Sequence, residues 1–509
     1  MFSLTTRSLA RMIISKSDYM LFLRHPAWLW LKKHAKSNLP PVDDNTQAMF
    51  DAGHEFEEYA EKLFPEGIKL GFVSYKEYLS LPQRTKDVLD EEVSTIFQGR
   101  FEVDGLTCII DVLNRVNRNT FDLIEIKSST RAKPEHYYDL AFQTIVLEKS
   151  GLKVRNISVV HVNTEYVRTG DIEPEKFVGI ADVTMDVRTL VDLTKEQIGI
   201  AFKVLSSKTV PDISPRHVNQ VGVPRVRWFT DWLDIYKSLR PDLDPYSIYN
   251  LAYPNAQQIG QLEDEGIRQI ADIPEKLALR SKQVAQIQTT RDNKRIIDKA
   301  KIEEFLETLE YPLYFLDYET FSSVIPAFDG CRPYQDYPFQ YSLHVLDVPS
   351  AKLRHTEYLH QENSNPVLGL IKQLKQDIGD AGTILTWNMS YEKGCNDRMA
   401  SFYPEHKQFL ESLNSRINDL MIPFSQMWFF DKDFMGSASV KKVMPVLAPE
   451  LSYKELEVSD GLLARRTWTE TILKDKNQSK RDQILSDLSE YCTLDTYAMV
   501  RILEELRKI

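Results

Sequence analysis

Carboxylates recur at short spacing in two distant parts of this 509-residue chain, and in each part their neighbours suit phosphodiester hydrolysis. In the N-terminal half, Gly105 and Ile110-Asp111-Val112 are followed by Ile124-Glu125-Ile126-Lys127. In the C-terminal half, Phe315-Leu316-Asp317-Tyr318-Glu319-Thr320 leads to Trp387-Asn388-Met389-Ser390-Tyr391-Glu392, and finally to Tyr491-Cys492-Thr493-Leu494-Asp495. A phosphodiester is stable and anionic, so its hydrolysis needs a cation that activates water and stabilises the developing charge. Mg²⁺ and Mn²⁺ take oxygen ligands, which both sets offer.

The first set belongs on paired strands. Asp111 closes an apolar stretch within Val103–Val116, and Phe121–Ile126 follows across the polar turn Asn117-Arg118-Asn119-Thr120, a β-hairpin signal. Side chains alternate along a strand, so Glu125 and Lys127 share a face while Ile126 points to the core. Hairpin pairing brings Asp111 alongside as the second carboxylate of a metal site, and the Lys127 ammonium can orient water or the phosphate. Glu-x-Lys alone is more often an exposed ion pair on a sheet; Gly105, Asp111 and the helix-borne residues named below shift the balance.

The second set spans three elements. Leu313–Leu316 is a short apolar strand ending in Asp317-Tyr318-Glu319, whose i, i+2 carboxylates project to one face. Glu392 and Asp495 arrive from later elements. Like charges about 5 Å apart repel by about 3 kcal/mol per pair at an effective dielectric of about 20. Four carboxylates therefore need cations between them, and two divalent ions can clamp the attacking and leaving oxygens. Tyr491 and Asp495 stand at i and i+4 on the last helix, which lets the phenol orient the attacking water.

The elements around these sets alternate. Lys16 to about Lys62 is helical in pattern, 134–150 is helical again, and Val154–Val162 reads as a strand, which together predict an α/β core. The Pro- and Gly-rich stretch around Pro211–Pro224 marks a boundary. The expected domains are 1–215, a helical spacer over 216–305, and a second α/β domain over 306–509. In the last, strands at Leu313–Asp317, Tyr341–Asp347 and Thr383–Thr386 alternate with helices and end in a helix at Asp482–Lys508. Within the spacer, Leu262 to Pro274 resembles a degenerate helix-hairpin-helix whose Gly266 turn offers N–H groups to a phosphate, although a plain helical spacer is the first reading.

Bulk properties bound the partners. The composition, 42% apolar and 27% charged, is that of an ordinary globular protein. A net charge of -11 excludes a basic coat for non-specific nucleic-acid binding and leaves backbone contacts to local lysines and arginines. Cys108, Cys331, Cys395 and Cys492 form no CxxC pair, which points to reduced thiols in a cytoplasmic protein rather than disulfides or a zinc site. No apolar run reaches about 18 residues, so no membrane association is expected. Residues 1–17 are basic and acid-free, with Arg7, Arg11 and Lys16, and read as an ordinary N-terminus rather than a transit peptide.

Gly105, Asp111 and Glu125-Ile126-Lys127 resemble the PD-(D/E)xK superfamily, and within it the RecB-like nucleases. That resemblance implies a restriction-endonuclease-like core and further site residues. Met49-Phe50-Asp51-Ala52-Gly53-His54 loosely fits the family's Gly-x-x-x-His helix, which makes His54 an additional metal ligand, with Glu58 one turn further on. Tyr138-Asp139-Leu140-Ala141-Phe142-Gln143 matches the family's helix after the lysine strand, where Gln143 positions the lysine or the substrate. Their plain alternatives are a surface histidine and a helix-surface amide. Many RecB-like relatives also hold an iron–sulfur cluster, with one Cys before a Pro near the N-terminus and three after the nuclease core. Here those places read Arg24-His25-Pro26 and His217 to Pro224 without a thiol, so no cluster is expected.

Asp317, Glu319, Tyr491 and Asp495 resemble the first and third motifs of the DnaQ-like, or DEDD, exonucleases of the ribonuclease H-like fold, in the subtype with Tyr in the last motif. The resemblance covers about 311–509. Trp387-Asn388-x-x-Tyr391-Glu392 stands where the family usually has His-Asn-x-x-Phe-Asp; Glu392 keeps the charge on a side chain one methylene longer. Asp419, in Asn418-Asp419-Leu420, is the alternative carboxylate, and Ser439-Val440-Lys441-Lys442-Val443 resembles a Ser-Leu-Lys segment of ribonuclease D-type enzymes. The pairing of domains resembles an uncharacterised bacterial two-nuclease family.

These resemblances imply a Mg²⁺- or Mn²⁺-dependent DNA nuclease acting on single strands or duplex ends, in repair or in defence against foreign DNA. One site is RecB-like, the other a 3′→5′ exonuclease, and a helicase or other repair or defence protein is the implied partner. The alternatives are an RNA-processing exonuclease, and a nucleic-acid-binding scaffold in which one site has decayed.

Overall fold

The computed structural model describes residues 12–42, 44–274, 277, 280–454 and 456–509. The fold class is α/β, and the chain packs as two units. The first takes the described residues up to Tyr166 with Gly170–Leu243 and Asn255–Gln261; the second takes Val167–Thr169, Asp244–Pro254 and Leu262–Ile509. The stretch 216–305, expected as a spacer, is thus divided between them. Within it the Gly266 and Ile267 N–H groups donate to the Glu263 and Leu262 carbonyls. They close the end of the helix Ala256–Asp264 instead of facing a phosphate.

In the first unit the sheet contains β1 (Ile14–Ser15), β2 (Ile68–Lys69), β3 (Thr95–Val103), β4 (Leu106–Asn117), β5 (Thr120–Lys127), β6 (Lys153–Val162) and β7 (Val178–Asp182). The order is β2-β3-β4-β5-β6-β7, with β1 against β4. Gly105, which bounds the apolar run Val103–Val116, lies in a turn: Asp104 and Gly105 both hold positive φ, and β3 folds back antiparallel onto β4. A glycine tolerates that backbone without strain. β4 and β5 form the expected hairpin. Their pairing stops at Val112–Ile124, and β1 takes up the same edge of β4 at Leu106–Thr107, since β3 occupies the other. Between these pairings the edge of β4 is open at Asp111.

The helix Pro134–Lys149 carries the chain from β5 to its parallel neighbour β6. Every residue from Tyr138 to Leu147 is buried, because the helix lies between the sheet and the helix Thr184–Ser206. Fully burying a Phe or Leu contributes about 1.5–3 kcal/mol, so this apolar packing can hold Asp139 and Gln143 in the same helix away from water.

The second unit has a small antiparallel pair, β8 (Ile296–Ile297) with β14 (Phe429–Phe430), and a five-stranded sheet. That sheet contains β9 (Leu313–Phe321), β10 (Tyr337–Leu346), β11 (Arg354–Leu359), β12 (Thr383–Thr386) and β13 (Ile417–Asp419), in the order β11-β10-β9-β12-β13. β12 runs parallel to β9 and β13, whereas β10 is antiparallel to β9 and β11. The terminal helix, Arg481–Leu506, covers one face: Gln340 donates to the Leu488 carbonyl at 3.0 Å, and Ser342 and Thr496 hydroxyls meet at 2.7 Å. On the other face Tyr318 donates to Asn396 of the helix Met389–Phe402 at 3.0 Å. The strand expected at Leu313–Asp317 runs on to Phe321 because β10 pairs with it to Tyr337, so Asp317 and Glu319 lie inside it.

Candidate active sites

β9 loses its parallel partner β12 after Phe315 but keeps β10 beyond Glu319. The chain leaves β9 towards β10 and β11 on one side, and β12 continues to β13 on the other. In open α/β sheets ligands bind near such a switch in direction. Asp317 and Glu319, two residues apart, face the terminal helix there. One carboxylate oxygen from each of Asp317, Glu319 and Asp495 lies within 4.8 Å of the others, the one such group of three among the described residues.

All three carboxyls are pushed upward. Burial, and then the Asp495 charge, raises Asp317 well above the carboxylate range. Burial followed by Asp317 and Asp495 does the same to Glu319, while Arg465 and Lys441 act the other way. Burial lifts Asp495 to about 6 against the opposing pull of Tyr453, Lys441 and Tyr491. A buried acid cluster short of positive charge is a donor set that fits a divalent cation.

Neighbouring groups shape the site. The Tyr453 hydroxyl donates to Asp495 Oδ1. Burial first, then the Asp495, Glu319 and Asp317 charges, raises the Tyr491 phenol, so it stays protonated and able to donate. Lys441 donates to the Ser459 carbonyl at 2.8 Å and stands 5.5 and 5.6 Å from the Tyr453 and Tyr491 rings. Gly461 faces the carboxylates: an added Cβ would stand 3.5 Å from Glu319 Oε2 and 4.0 Å from Tyr491 Oη. Cys492 Sγ is 4.0 Å from Asp317 Oδ2.

Glu392 sits in the first turn of the helix Met389–Phe402, outside the 4.8 Å group. It is 1% exposed, and its Oε2 has no hydrogen-bond partner among the described residues. Burial and then the Asp317 charge raise its pKa. Asp419 does different work: its Oδ1 accepts the N–H groups of Asn388 at 3.0 Å and Met421 at 2.9 Å. It therefore fixes the start of the helix that carries Glu392.

In the first unit, Asp111, Glu125, Lys127 and Gln143 come together at the open edge of β4. Asp111 Oδ2 accepts the Ile126 N–H at 2.9 Å. Lys127 Nζ donates to Glu125 Oε1 at 2.6 Å and to Asp139 Oδ2 at 3.0 Å. Gln143 bridges Glu125 Oε2 at 2.7 Å and Asp139 Oδ1 at 3.0 Å. Lys16, directly after β1, reaches the same Glu125 Oε1 at 2.9 Å. Burial opposes the Glu125 charge, yet Lys127 and Lys16 outweigh it and hold this carboxyl well below its ordinary range. Asp111 moves the other way, raised by burial and then by Glu125. Lys127 is raised in spite of burial by Asp139 and Glu125.

His54 and Glu58 are exposed, and among the described residues no three-residue ligand group lies in the first unit. The helix Asp44–Glu61 nevertheless borders the site, since a Cβ on Gly53 would lie 3.7 Å from Ser128 Oγ. Glu57 is the residue it turns inward: its charge acts on Asp111, and Gln98 holds its Oε1 at 3.0 Å. Glu57 is three residues from His54, as near on a helix face as Glu58 is at four.

The two places compared above with cluster ligands meet in the first unit. His25 stacks on Trp232 with centroids 4.0 Å apart, His25 Nε2 lies 3.0 Å from the Ser214 carbonyl, and the Asn219 N–H donates to the Arg24 carbonyl at 3.0 Å. Burial keeps His25 neutral, at about 3. Aromatic stacking and hydrogen bonds thus join the N-terminal segment to the segment after the core.

Sequence reasoning missed Lys16, Glu57 and Asp139 in the first unit, and Tyr453, Gly461 and Cys492 in the second. Asp139 carried a signal, being i−4 from Gln143 on the same helix.

Comparison with known proteins adds likeness without assigned chemistry. The family described as a domain of unknown function (DUF2779) matches residues 314–439, which include Asp317, Glu319 and Glu392. An uncharacterized protein of Ureaplasma parvum (UU173) is 22% identical over 241 residues, 43% of this chain and 34% of its own length. An uncharacterized protein of Mycoplasma pneumoniae (the MG366 homolog) is 24% identical over 228 residues, 42% of this chain and 34% of its own. The chain thus spans about a third of the length of these relatives. Among the described residues no helix is long and apolar enough to cross a membrane.

Proposed function

We propose that this chain hydrolyses DNA phosphodiesters with a divalent metal, trimming 3′ ends at the Asp317–Glu319–Asp495 centre and cutting at a second, RecB-like centre around Lys127. The observation that carries the reading is the convergence of three carboxylate oxygens within 4.8 Å at the switch point of the second sheet. Asp317, Glu319 and Asp495 would hold Mg²⁺ or Mn²⁺, with Glu392 beside them; the bound ion supplies Lewis acidity and a more acidic water. Tyr491 donates a hydrogen bond to the incoming water oxygen, and Gly461 leaves room for the terminal phosphate. Water attacks phosphorus and gives up a proton to solvent, the P–O3′ bond breaks, and the departing 3′ oxygen takes a proton from solvent, leaving a 5′-phosphate on the released nucleotide. In the first unit Asp111 and Glu125 would hold the ion, Lys127 would turn from its carboxylates to the phosphate, and Gln143 holds Glu125 in place.

End-labelled single- and double-stranded DNA, with matched RNA, in Mg²⁺, Mn²⁺ or EDTA tests this. Wild type should cleave only with metal, Asp317→Ala should lose the 3′ ladder, and Lys127→Ala should lose the other activity. No cleavage of any substrate in either metal sinks the proposal, and RNA cleaved in preference to DNA replaces its substrate.

A further inference from the structure

Lys127 is held back in a way that asks for a second ammonium. An ammonium has three donors, and Lys127 spends two of them on Glu125 Oε1 and Asp139 Oδ2. In that posture it restrains two carboxylates and has little to offer a substrate phosphate. Lys16 addresses the same two groups, Glu125 Oε1 at 2.9 Å and Asp139 Oδ1 at 3.7 Å. It is the less open of the pair, with 20% of its side chain exposed against 28% for Lys127.

The backbone of Lys16 is fixed with care. β1 pairs with β4 through Ile14 and Ser15. The next turn is closed by a capping box, in which Ser15 Oγ accepts the Asp18 N–H at 3.1 Å and Asp18 Oδ2 accepts the Ser15 N–H at 3.0 Å. Lys32 and Lys33 then hold the buried Asp18 carboxylate at 2.8 and 2.6 Å. This bracing presents one side chain, Lys16, to the open edge of β4.

We propose that Lys16 is a positioning residue that takes over Asp139, and shares Glu125 with the ion, when Lys127 turns to the substrate phosphate. The inference rests on the reading of this centre as a nuclease site. Without Lys16, Lys127 stays locked between its two carboxylates, and turnover falls while substrate binding does not. Removing the Asp139 charge should release it again, a rescue that a purely structural lysine would not show.

The test uses the full chain carrying Asp317→Ala, so that cleavage of single-stranded DNA in Mn²⁺ reports the first centre alone. Lys16→Met should lower kcat about tenfold with KM unchanged, and Lys16→Met/Asp139→Asn should recover most of the loss. Thermal melting follows folding, and Lys16→Arg, which keeps the positive charge, should retain most of the kcat that Lys16→Met loses. Equal kcat for Lys16→Met and the background, or a loss that Asp139→Asn leaves in place, overturns the inference while the nuclease reading stands. Cleavage absent from the background, or undiminished by Lys127→Ala, overturns both.

Discussion

The two centres gather similar acidic groups and neutralise them in opposite ways. In the first unit the ammonium groups of Lys16 and Lys127 touch Glu125 directly, and Asp139 shares them. In the second unit positive charge stands one layer further out: Lys441 is bonded to the Ser459 carbonyl, and Arg465 is held by Thr320, Ser322 and Asp336. Asp317, Glu319 and Asp495 therefore meet under mutual repulsion, each with a raised pKa. The first centre balances its own charge; the second holds its three carboxyls together without a contacting cationic side chain among the described residues.

Stability in EDTA should separate them most clearly. Glu125→Gln leaves two ammonium groups beside a neutral amide in a buried site, and removing one partner of such a pair costs about 3 kcal/mol. Glu319→Gln removes the cost of burying an acid whose pKa is raised well above its ordinary value and should stabilise the metal-free chain near neutral pH by about 1 kcal/mol. Mn²⁺ should reverse the second sign, because the wild type gains about 2.7 kcal/mol at a hundredfold excess over Kd and the variant gains less. Urea unfolding of the two variants measures both; a Glu319→Gln chain that is weaker in EDTA breaks the contrast.

The pH dependence should run in opposite directions for the same reason. Glu125 has a lowered pKa in the fold, so its contribution is complete above the ordinary carboxylate range and is lost as pH falls towards its depressed value. The stability gap between wild type and Glu125→Gln should narrow below about pH 4. Asp495 is raised to about 6, so the native state holds its proton more tightly than the unfolded chain does. That contribution is present at acid pH and is lost as pH rises through the raised value. Asp495→Asn should therefore gain on wild type as pH increases across that window. Parallel pH series of unfolding midpoints, in EDTA, decide this.

Legibility differed with sequence distance. Glu125 and Lys127 share a strand face, and Asp111 lies on the paired strand, so alternation alone placed them together; Tyr491 and Asp495 are one helical turn apart. Lys16 meets Glu125 across 109 residues, and nothing local to Lys16-Ser17-Asp18 announces it. Tyr453 lies in a connection and Gly461 at the start of the helix Gly461–Trp468, and the course of both depends on how the terminal helix packs. The α/β class was readable from alternating periodicities and Gly105 as a boundary, whereas the strand Thr95–Val103 before it was not read. The extension of β9 to Phe321 depended on its partner β10, a non-local cause.

Membership of the first centre can be sharpened by one helix. His54 was chosen from a motif and Glu58 from an i+4 step, yet both are exposed, while Glu57 turns towards Asp111. Burial, and then the Glu61 charge, raises Glu57 itself, so Gln98 holds a carboxyl already inclined to keep its proton. Removing it should relax Asp111 and lower cleavage by the Asp317→Ala chain about fivefold, the worth of about 1 kcal/mol. His54→Ala should stay within about twofold of that parent, since an exposed imidazole outside the ligand group contributes little. The order of the two effects is the informative quantity: a larger loss from His54→Ala would place the histidine, rather than Glu57, at the working centre.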